Sequence, residues 1–224
     1  MNYTDPTGLY KGQNQIWDGK KYVNNNSYSG IYDPVTYLSN RYGGTITEKS
    51  RKILSLDSFL MSDINNGGIC SKAAVTRVLL YYAQKYNKIP NNRTTIYNKV
   101  RSFDSHDYTD PWYIDDLAQK TLLAYGYSKA SSWNVYVWSF KGEVKNEIDN
   151  GYPVILSMAN GYYYNHTVTV IGYIIYNQKV NHWYGTTNKE YPMIVVYDGW
   201  DRKYMYIDYN AFLGFGSFTK IRVG

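Results

Sequence analysis

The chain has 224 residues, 44% of them hydrophobic, and a formal net charge of +6, which suffices for one domain with a sizeable core and an N-terminal extension. Its single cysteine excludes an intramolecular disulfide framework and a thiolate zinc cage, and the absence of a run of about 18 apolar residues excludes a membrane span. Lysine and arginine are scattered, without a nucleic-acid-binding motif, so the positive charge predicts a solvated surface and no nucleic-acid partner.

Tyrosine is unusually abundant, with 28 copies, alongside many asparagines and glycines. Such a composition is typical of exported bacterial proteins, and we expect a secreted or cell-surface protein of bacterial origin. No positively charged and then apolar leader occurs, so its signal peptide would be missing from this sequence. The basic surface would also suit anionic cell-wall material.

Residues 1–54 differ in texture from the rest and are predicted to be an N-terminal extension. Residues 1–31 show no sustained period, whereas Asp33–Pro34 begins a helix that continues to Arg41 and ends at Gly43–Gly44. We interpret the extension as a strap packed across the main domain, with a propeptide remnant or a linker as the alternatives. The main domain is predicted to cover residues 55–224.

Helices come first in this main domain. Apolar residues at three- and four-residue spacing predict a helix over Ser71–Asn87, and a shorter one is expected over Thr94–Val100. A third begins at Asp110–Pro111 and is closed by Gly126, and a fourth is capped by Ser139 and ends at Gly151.

Strands follow the helices. They are predicted over Tyr152–Met158, His166–Ile175, Pro192–Asp198, Lys203–Ile207 and Gly216–Arg222, with a hairpin insertion over Asn177–Tyr191. Helices first and strands last is the pattern of an α+β domain.

The single cysteine, Cys70, lies where the segment Asn65–Ile69, which contains two adjacent glycines, runs into the predicted helix. Unpaired N–H groups and the helix dipole favour the thiolate, which is the nucleophilic form. The alternative is a small buried apolar filler.

A nucleophilic thiol needs a base, and the chain has three histidines. His166 begins a strongly apolar strand, from which its ring can face a helix N-terminus across a cleft. His106 lies in a charged loop and His182 in the predicted hairpin, so both are expected to be surface residues. His166 is therefore the candidate base, with a structural core histidine as the alternative.

The base in turn needs an orienting partner. Asp198 ends the apolar strand Met193–Tyr197 and precedes a glycine, so it is the candidate acid, or else a turn-forming aspartate. Asp201 and Asp208 are weaker candidates.

Three segments in this order, a cysteine that opens a helix, "GYPVILSM…HTVTVIGY" and "VVYDGW", resemble a papain-like cysteine peptidase. The resemblance covers about residues 55–224 and is nearest to the bacteriocin-processing, double-glycine leader peptidases and their secreted bacterial relatives. It implies a papain-like α+β fold, in which an N-terminal helical part with the cysteine helix packs on a C-terminal antiparallel sheet. It also implies hydrolysis of a peptide or protein through an acyl-enzyme, with Cys70 as nucleophile, His166 as base and Asp198 as orienting acid.

The same resemblance places an amide side chain in the oxyanion hole, beside the backbone N–H of Cys70. The family usually has glutamine there, and this chain has Asn65, with Asn66 as the next choice. Ser-Lys-Ala follows Cys70 where Gly-Pro-Thr is usual. These departures imply altered specificity or lost turnover.

Other function classes stay open. An NlpC-like cell-wall endopeptidase or amidase shares the cysteine helix and histidine strand but commonly uses a second histidine. A transglutaminase-like core usually has a shorter interval between cysteine and histidine than the one between Cys70 and His166. A catalytically degenerate binding domain would use aromatic residues such as Trp133, Trp138 and Trp183. No metal site and no cofactor are expected, and the protein is expected to be a monomer.

Overall fold

A computed structural model describes residues 15–17, 22–24, 30–65, 69–161, 163–211 and 215–223. Five α-helices occur in this part of the chain: α1 (Pro34–Tyr42), α2 (Cys70–Ala83), α3 (Arg93–Phe103), α4 (Ile114–Ala124) and α5 (Asn146–Asp149). The described strands are β1 (Gln15–Trp17), β2 (Tyr22–Asn24), β3 (Thr45–Ile53), β4 (Ser131–Val135), β5 (Val154–Gly161), β6 (Tyr164–His182), β7 (Gly185–Tyr197), β8 (Met205–Asp208) and β9 (Phe215–Arg222).

Seven of these strands form one antiparallel sheet in the order β4-β9-β5-β6-β7-β8, with β3 also paired to β6, while β1 and β2 pair with each other. The strand β6 is long enough to pair with two different strands along one of its edges. Its first half pairs with β5, and its second half pairs with β3. His166 therefore lies near the start of the central strand of the sheet.

The helix α2 is buried on nearly all sides. Every side chain from Ser71 to Tyr82 is buried, because α2 packs on β5 and β6 and is covered by α3 and α4. The helix was predicted over Ser71–Asn87, and the structure confirms it with an earlier end. A helix so fully enclosed holds its first residue rigidly against the sheet.

Gly172 in β6 is required by the close approach of β3. A Cβ at this position would lie 2.5 Å from the Lys52 carbonyl oxygen and 2.9 Å from the Ile53 Cα. Both are backbone atoms, so a side chain could be admitted only by moving β3 away from β6.

Residues 30–53 lie on the same sheet as the rest of the chain. Asp33 caps α1 by accepting from the Val35 and Thr36 N–H groups. Behind α1, the hydroxyl groups of Tyr37 and Tyr42 donate to the fully buried Asp208 carboxylate at 3.2 and 2.9 Å. The helix α1 thus packs against the sheet and the strand β3 is part of it, while the division of the chain at residue 54 stays a prediction.

The remaining predicted elements are present, with shifted ends. The helix expected from Asp110 starts as a 3₁₀ turn over Pro111–Tyr113 and continues as α4, and the helix capped by Ser139 starts as a π-helical turn over Phe140–Lys145 and continues as α5. The hairpin insertion is the outer part of β6 and β7. The strands β3 and β4 were not predicted.

This arrangement confirms the α+β class and the papain-like fold, with helices packed on an antiparallel sheet. Among the described residues, no helix is both long and apolar enough to span a bilayer.

Candidate active site

Cys70 is the first residue of α2 and is partly exposed. Its N-cap, Ile69, has no capping side chain, so no cap side chain competes for the N–H groups of the first turn of this 14-residue helix. The glycines of the predicted turn, together with Asn66, lie outside the described residues.

The pKa of the Cys70 thiol is low. Burial raises it, but a hydrogen bond with His166, the positive charge of that ring and the Thr167 N–H lower it from 9.0 to about 7. A thiol with such a pKa is about half thiolate at neutral pH.

The His166 ring is 5% exposed and lies between Cys70 and the turn that follows β7. Its Nε2 lies 2.8 Å from the main-chain carbonyl oxygen of Asp198. Because a carbonyl oxygen only accepts, Nε2 carries the proton, and Nδ1 is left for Cys70. Burial lowers the pKa of His166, but the hydrogen bond and charge of Cys70 and the nearby Asp198 raise it overall. The pair therefore favours thiolate and imidazolium.

Asp198 acts through two different groups. Its carbonyl holds the ring, whereas we expected the carboxylate to do so. The carboxylate is 2% exposed and accepts from the Trp200 N–H at 2.9 Å, the Asp201 N–H at 3.3 Å and the Tyr163 hydroxyl at 3.5 Å. Burial raises its pKa to about 6, although the Trp200 N–H and the His166 charge oppose this. A carboxyl group with such a pKa is mostly ionised at neutral pH, and its negative charge raises the pKa of His166.

Trp200 covers the face of the imidazole, which the sequence argument did not foresee. The two rings stack with centroids 4.1 Å apart and planes 14° from parallel, and the buried Tyr163 ring lies 5.6 Å from His166. An aromatic face near a cation adds to its stability. The sequence did contain an indication of this contact, since Trp200 is the last residue of the "VVYDGW" segment.

Asn65, the candidate oxyanion donor, follows a 3₁₀ turn over Met61–Asp63. Its side-chain amide donates to the Tyr97 hydroxyl of α3 at 2.9 Å, and its main-chain N–H donates to the Met61 carbonyl at 3.0 Å. One of the two amide hydrogens is thereby engaged, and a role in the oxyanion hole stays a prediction.

Ser71 and Lys72, directly after the cysteine, form hydrogen bonds with the loop over residues 104–109. Neither contact was predicted from the sequence. The Lys72 ammonium, 1% exposed, donates to the Asp104 carboxylate at 2.9 Å, the His106 carbonyl at 2.7 Å and the Thr109 hydroxyl at 2.9 Å. The Ser71 hydroxyl donates to the Thr109 carbonyl at 3.2 Å. Residues 104–109 are thereby held beside the nucleophile.

The side chains of the other candidates make different contacts. The His106 side chain is 82% exposed and contacts Asp104, and His182 ends β6, with its side chain outside the described residues. Asp201 accepts from the Lys203 N–H, and Asp208 belongs to the tyrosine cluster under α1. In the described part of the chain, no three His, Cys, Asp or Glu residues are grouped as metal ligands would be.

A thiol at the start of a buried helix, facing an imidazole on an antiparallel sheet, defines a papain-like cysteine peptidase domain. The family model described as Peptidase_C39 like family matches residues 56–218, which is most of the chain. The protein therefore belongs to the Peptidase_C39-like family. A search of the curated proteins finds no match.

Proposed function

We propose that the protein is a cysteine peptidase that hydrolyses peptide bonds through an acyl-enzyme, with Cys70, His166 and Asp198 as its triad. The observation that carries this proposal is the placement of the His166 ring. Its Nε2–H is fixed on the Asp198 carbonyl at 2.8 Å, while Cys70 forms a hydrogen bond with the same ring. Family membership supports the same activity.

In the first step the Cys70 thiolate attacks the peptide carbonyl carbon, and a carbon–sulfur bond forms. The resulting oxyanion accepts from the Cys70 N–H and the Asn65 amide. As the carbon–nitrogen bond breaks, His166 gives its Nδ1 proton to the leaving amine. His166 then takes a proton from water, which attacks the thioester and releases the acid and the thiolate.

The rim of the site supports a peptide substrate. Three aromatic side chains, those of Tyr108, Trp112 and Tyr113, are 73%, 56% and 57% exposed. They lie within four residues of Thr109 in the chain, and Thr109 is hydrogen-bonded to Ser71 and Lys72, which follow Cys70. Exposed aromatic groups on a segment held in this way would offer apolar contact to the side chains of an extended chain.

The location and oligomeric state of the protein are part of the same proposal. We place the protein among the secreted bacterial relatives of the double-glycine leader peptidases, as a monomer, with residues 1–54 as an extension of the peptidase domain. The basic, tyrosine-rich composition supports export to an anionic surface.

The test is covalent labelling of Cys70 with a peptidyl acyloxymethyl ketone, followed by mass spectrometry and by cleavage of a fluorogenic peptide library. We expect one adduct on Cys70, abolished in His166→Ala and retained in the matched control His106→Ala. Turnover of peptidoglycan fragments alone would favour the NlpC-like alternative. An unreactive Cys70 without turnover of either substrate would favour a binding domain, in which exposed tryptophans such as Trp183 make the contacts.

A further inference from the structure

Arg77 is a buried cation on the helix that carries the nucleophile. It lies seven residues after Cys70, two turns along α2, and is 2% exposed. Its Nη1 donates to the Thr169 hydroxyl and its Nη2 to the Phe59 carbonyl, both at 2.9 Å. Both partners are neutral, and Nε is buried without a hydrogen-bond partner. The guanidinium carbon also lies 4.5 Å from the centroid of the Phe59 ring and 5.6 Å from that of the Tyr197 ring. Aromatic faces attract a cation but carry no net charge, so none of these contacts neutralises the positive charge.

A buried charge is costly unless an opposite charge compensates it. Burial lowers the pKa of Arg77 to about 10, while nearby acidic groups oppose this, and the negative charge of Asp198 is the largest of these opposing causes. The guanidinium therefore remains protonated at neutral pH. Asp198 is itself 2% exposed, so two opposite charges lie inside the same fold.

Both contacts of Arg77 lead to the turn that contains Asp198. Thr169 pairs in the sheet with Tyr197, the residue before Asp198. Phe59 is two residues before Met61, whose N–H donates to the Gly199 carbonyl at 2.9 Å. Gly199 has a φ of +84°, and a Cβ there would lie 2.8 Å from the Met61 side chain. The guanidinium thus connects β6, through Thr169, with the segment Phe59–Met61, and the turn that contains Asp198 is bonded to both.

We propose that Arg77 is a positioning residue and the buried countercharge of Asp198, which keeps that carboxylate anionic so that it can stabilise the His166 imidazolium. The groups that face Asp198 are Arg77 from α2, His166 from β6, Tyr163 before β6, and the N–H groups of its own turn. Tyr197 and Asp57 face Arg77. The inference rests on the proposed function of the same site.

The experiment measures the thiol directly and needs no substrate. The rate at which Cys70 reacts with 4,4′-dithiodipyridine is followed from pH 4 to pH 10, and the single cysteine makes the signal unambiguous. Arg77→Met and Arg77→Gln remove the charge, and Gln keeps a hydrogen-bond donor in case Met does not fold. Arg77→Lys keeps the charge. Arg41→Met is the matched control, because Arg41 contacts a different buried carboxylate, that of Asp208.

A charge close to a carboxyl group shifts its pKa by about 1–3 units, and Arg77 acts without direct contact. We therefore expect the acid limb of the profile to move up by less than about one pH unit in both neutral variants, and to stay in place in Arg77→Lys and Arg41→Met. In an Asp198→Asn background the same substitutions should leave the limb unchanged. An equal shift in both backgrounds, or no shift in a folded neutral variant, overturns the proposal. Failure of the proposed function would appear separately, as absent peptide cleavage by a protein whose thiol still titrates in this way.

Discussion

The pH dependence of Cys70 reactivity is the sharpest consequence of the site geometry. Replacing His166 with alanine removes the hydrogen bond and the charge that oppose burial, so the thiol pKa should rise from about 7 to at least its ordinary value of 9.0. With a pKa of 9.0, the thiolate fraction at pH 7 falls from about half to about 1%, a loss of about 50-fold.

A more basic thiolate is also a stronger nucleophile. With a Brønsted coefficient of about 0.4–0.5, a thiolate whose pKa is two units higher reacts about eightfold faster with a disulfide reagent. The net expectation for His166→Ala is a reaction about sixfold slower at pH 7 and about sevenfold faster at pH 10, with the two profiles crossing near pH 8.

The assay is the stopped-flow reaction with 4,4′-dithiodipyridine across this range, with His106→Ala as the control because its ring is 82% exposed. Profiles that never cross, or a midpoint in His166→Ala that stays near 7, would refute the assignment of His166 as the partner of the thiol.

Three further outcomes are expected. Because burial raises the pKa of Asp198 to about 6, this carboxyl group makes the wild type lose up to about 3 kcal/mol of stability as pH rises from about 4 to 6, and Asp198→Asn should lack this loss. Urea titrations of both proteins from pH 4 to pH 8 should show the difference; the same pH dependence in both proteins would contradict the reasoning. Gly172→Ala should lower the free energy of unfolding by more than about 1 kcal/mol, because its Cβ meets the Lys52 carbonyl, and an unchanged melting temperature would count against this packing. Trp112→Ala should weaken the binding of aromatic peptides to the Cys70→Ala variant by about fivefold, measured by calorimetry. The control Trp183→Ala, at the hairpin tip and 96% exposed, should leave this binding unchanged. Equal effects of the two substitutions would show that Trp112 does not contact the peptide.

Sequence patterns predicted those parts of the fold in which burial follows the chain's own periodicity. The helix α2 and the apolar half of β6 are of this kind, and they carry Cys70 and His166. The strand β3 was missed because few of its side chains are buried, so its sequence shows no alternation. The strand β4 likewise has no buried residue.

The rest of the site depends on contacts between distant segments. Nothing in the sequence around Asp198 distinguishes its carbonyl from its carboxylate as the partner of His166, since that choice follows from the register of β6 and β7. Arg77 and Lys72 interrupt an apolar helix pattern and would ordinarily be assigned to its solvent face. Only the surrounding fold shows that both are enclosed.

The pairing of β3 with β6 has a practical consequence for anyone who trims this protein to its family-matched region. A fragment starting at residue 56 would lack the neighbour of residues 172–179, leaving a row of hydrogen-bonding groups open to other chains. Such a fragment should self-associate, and the shortest well-behaved recombinant version should begin upstream of α1.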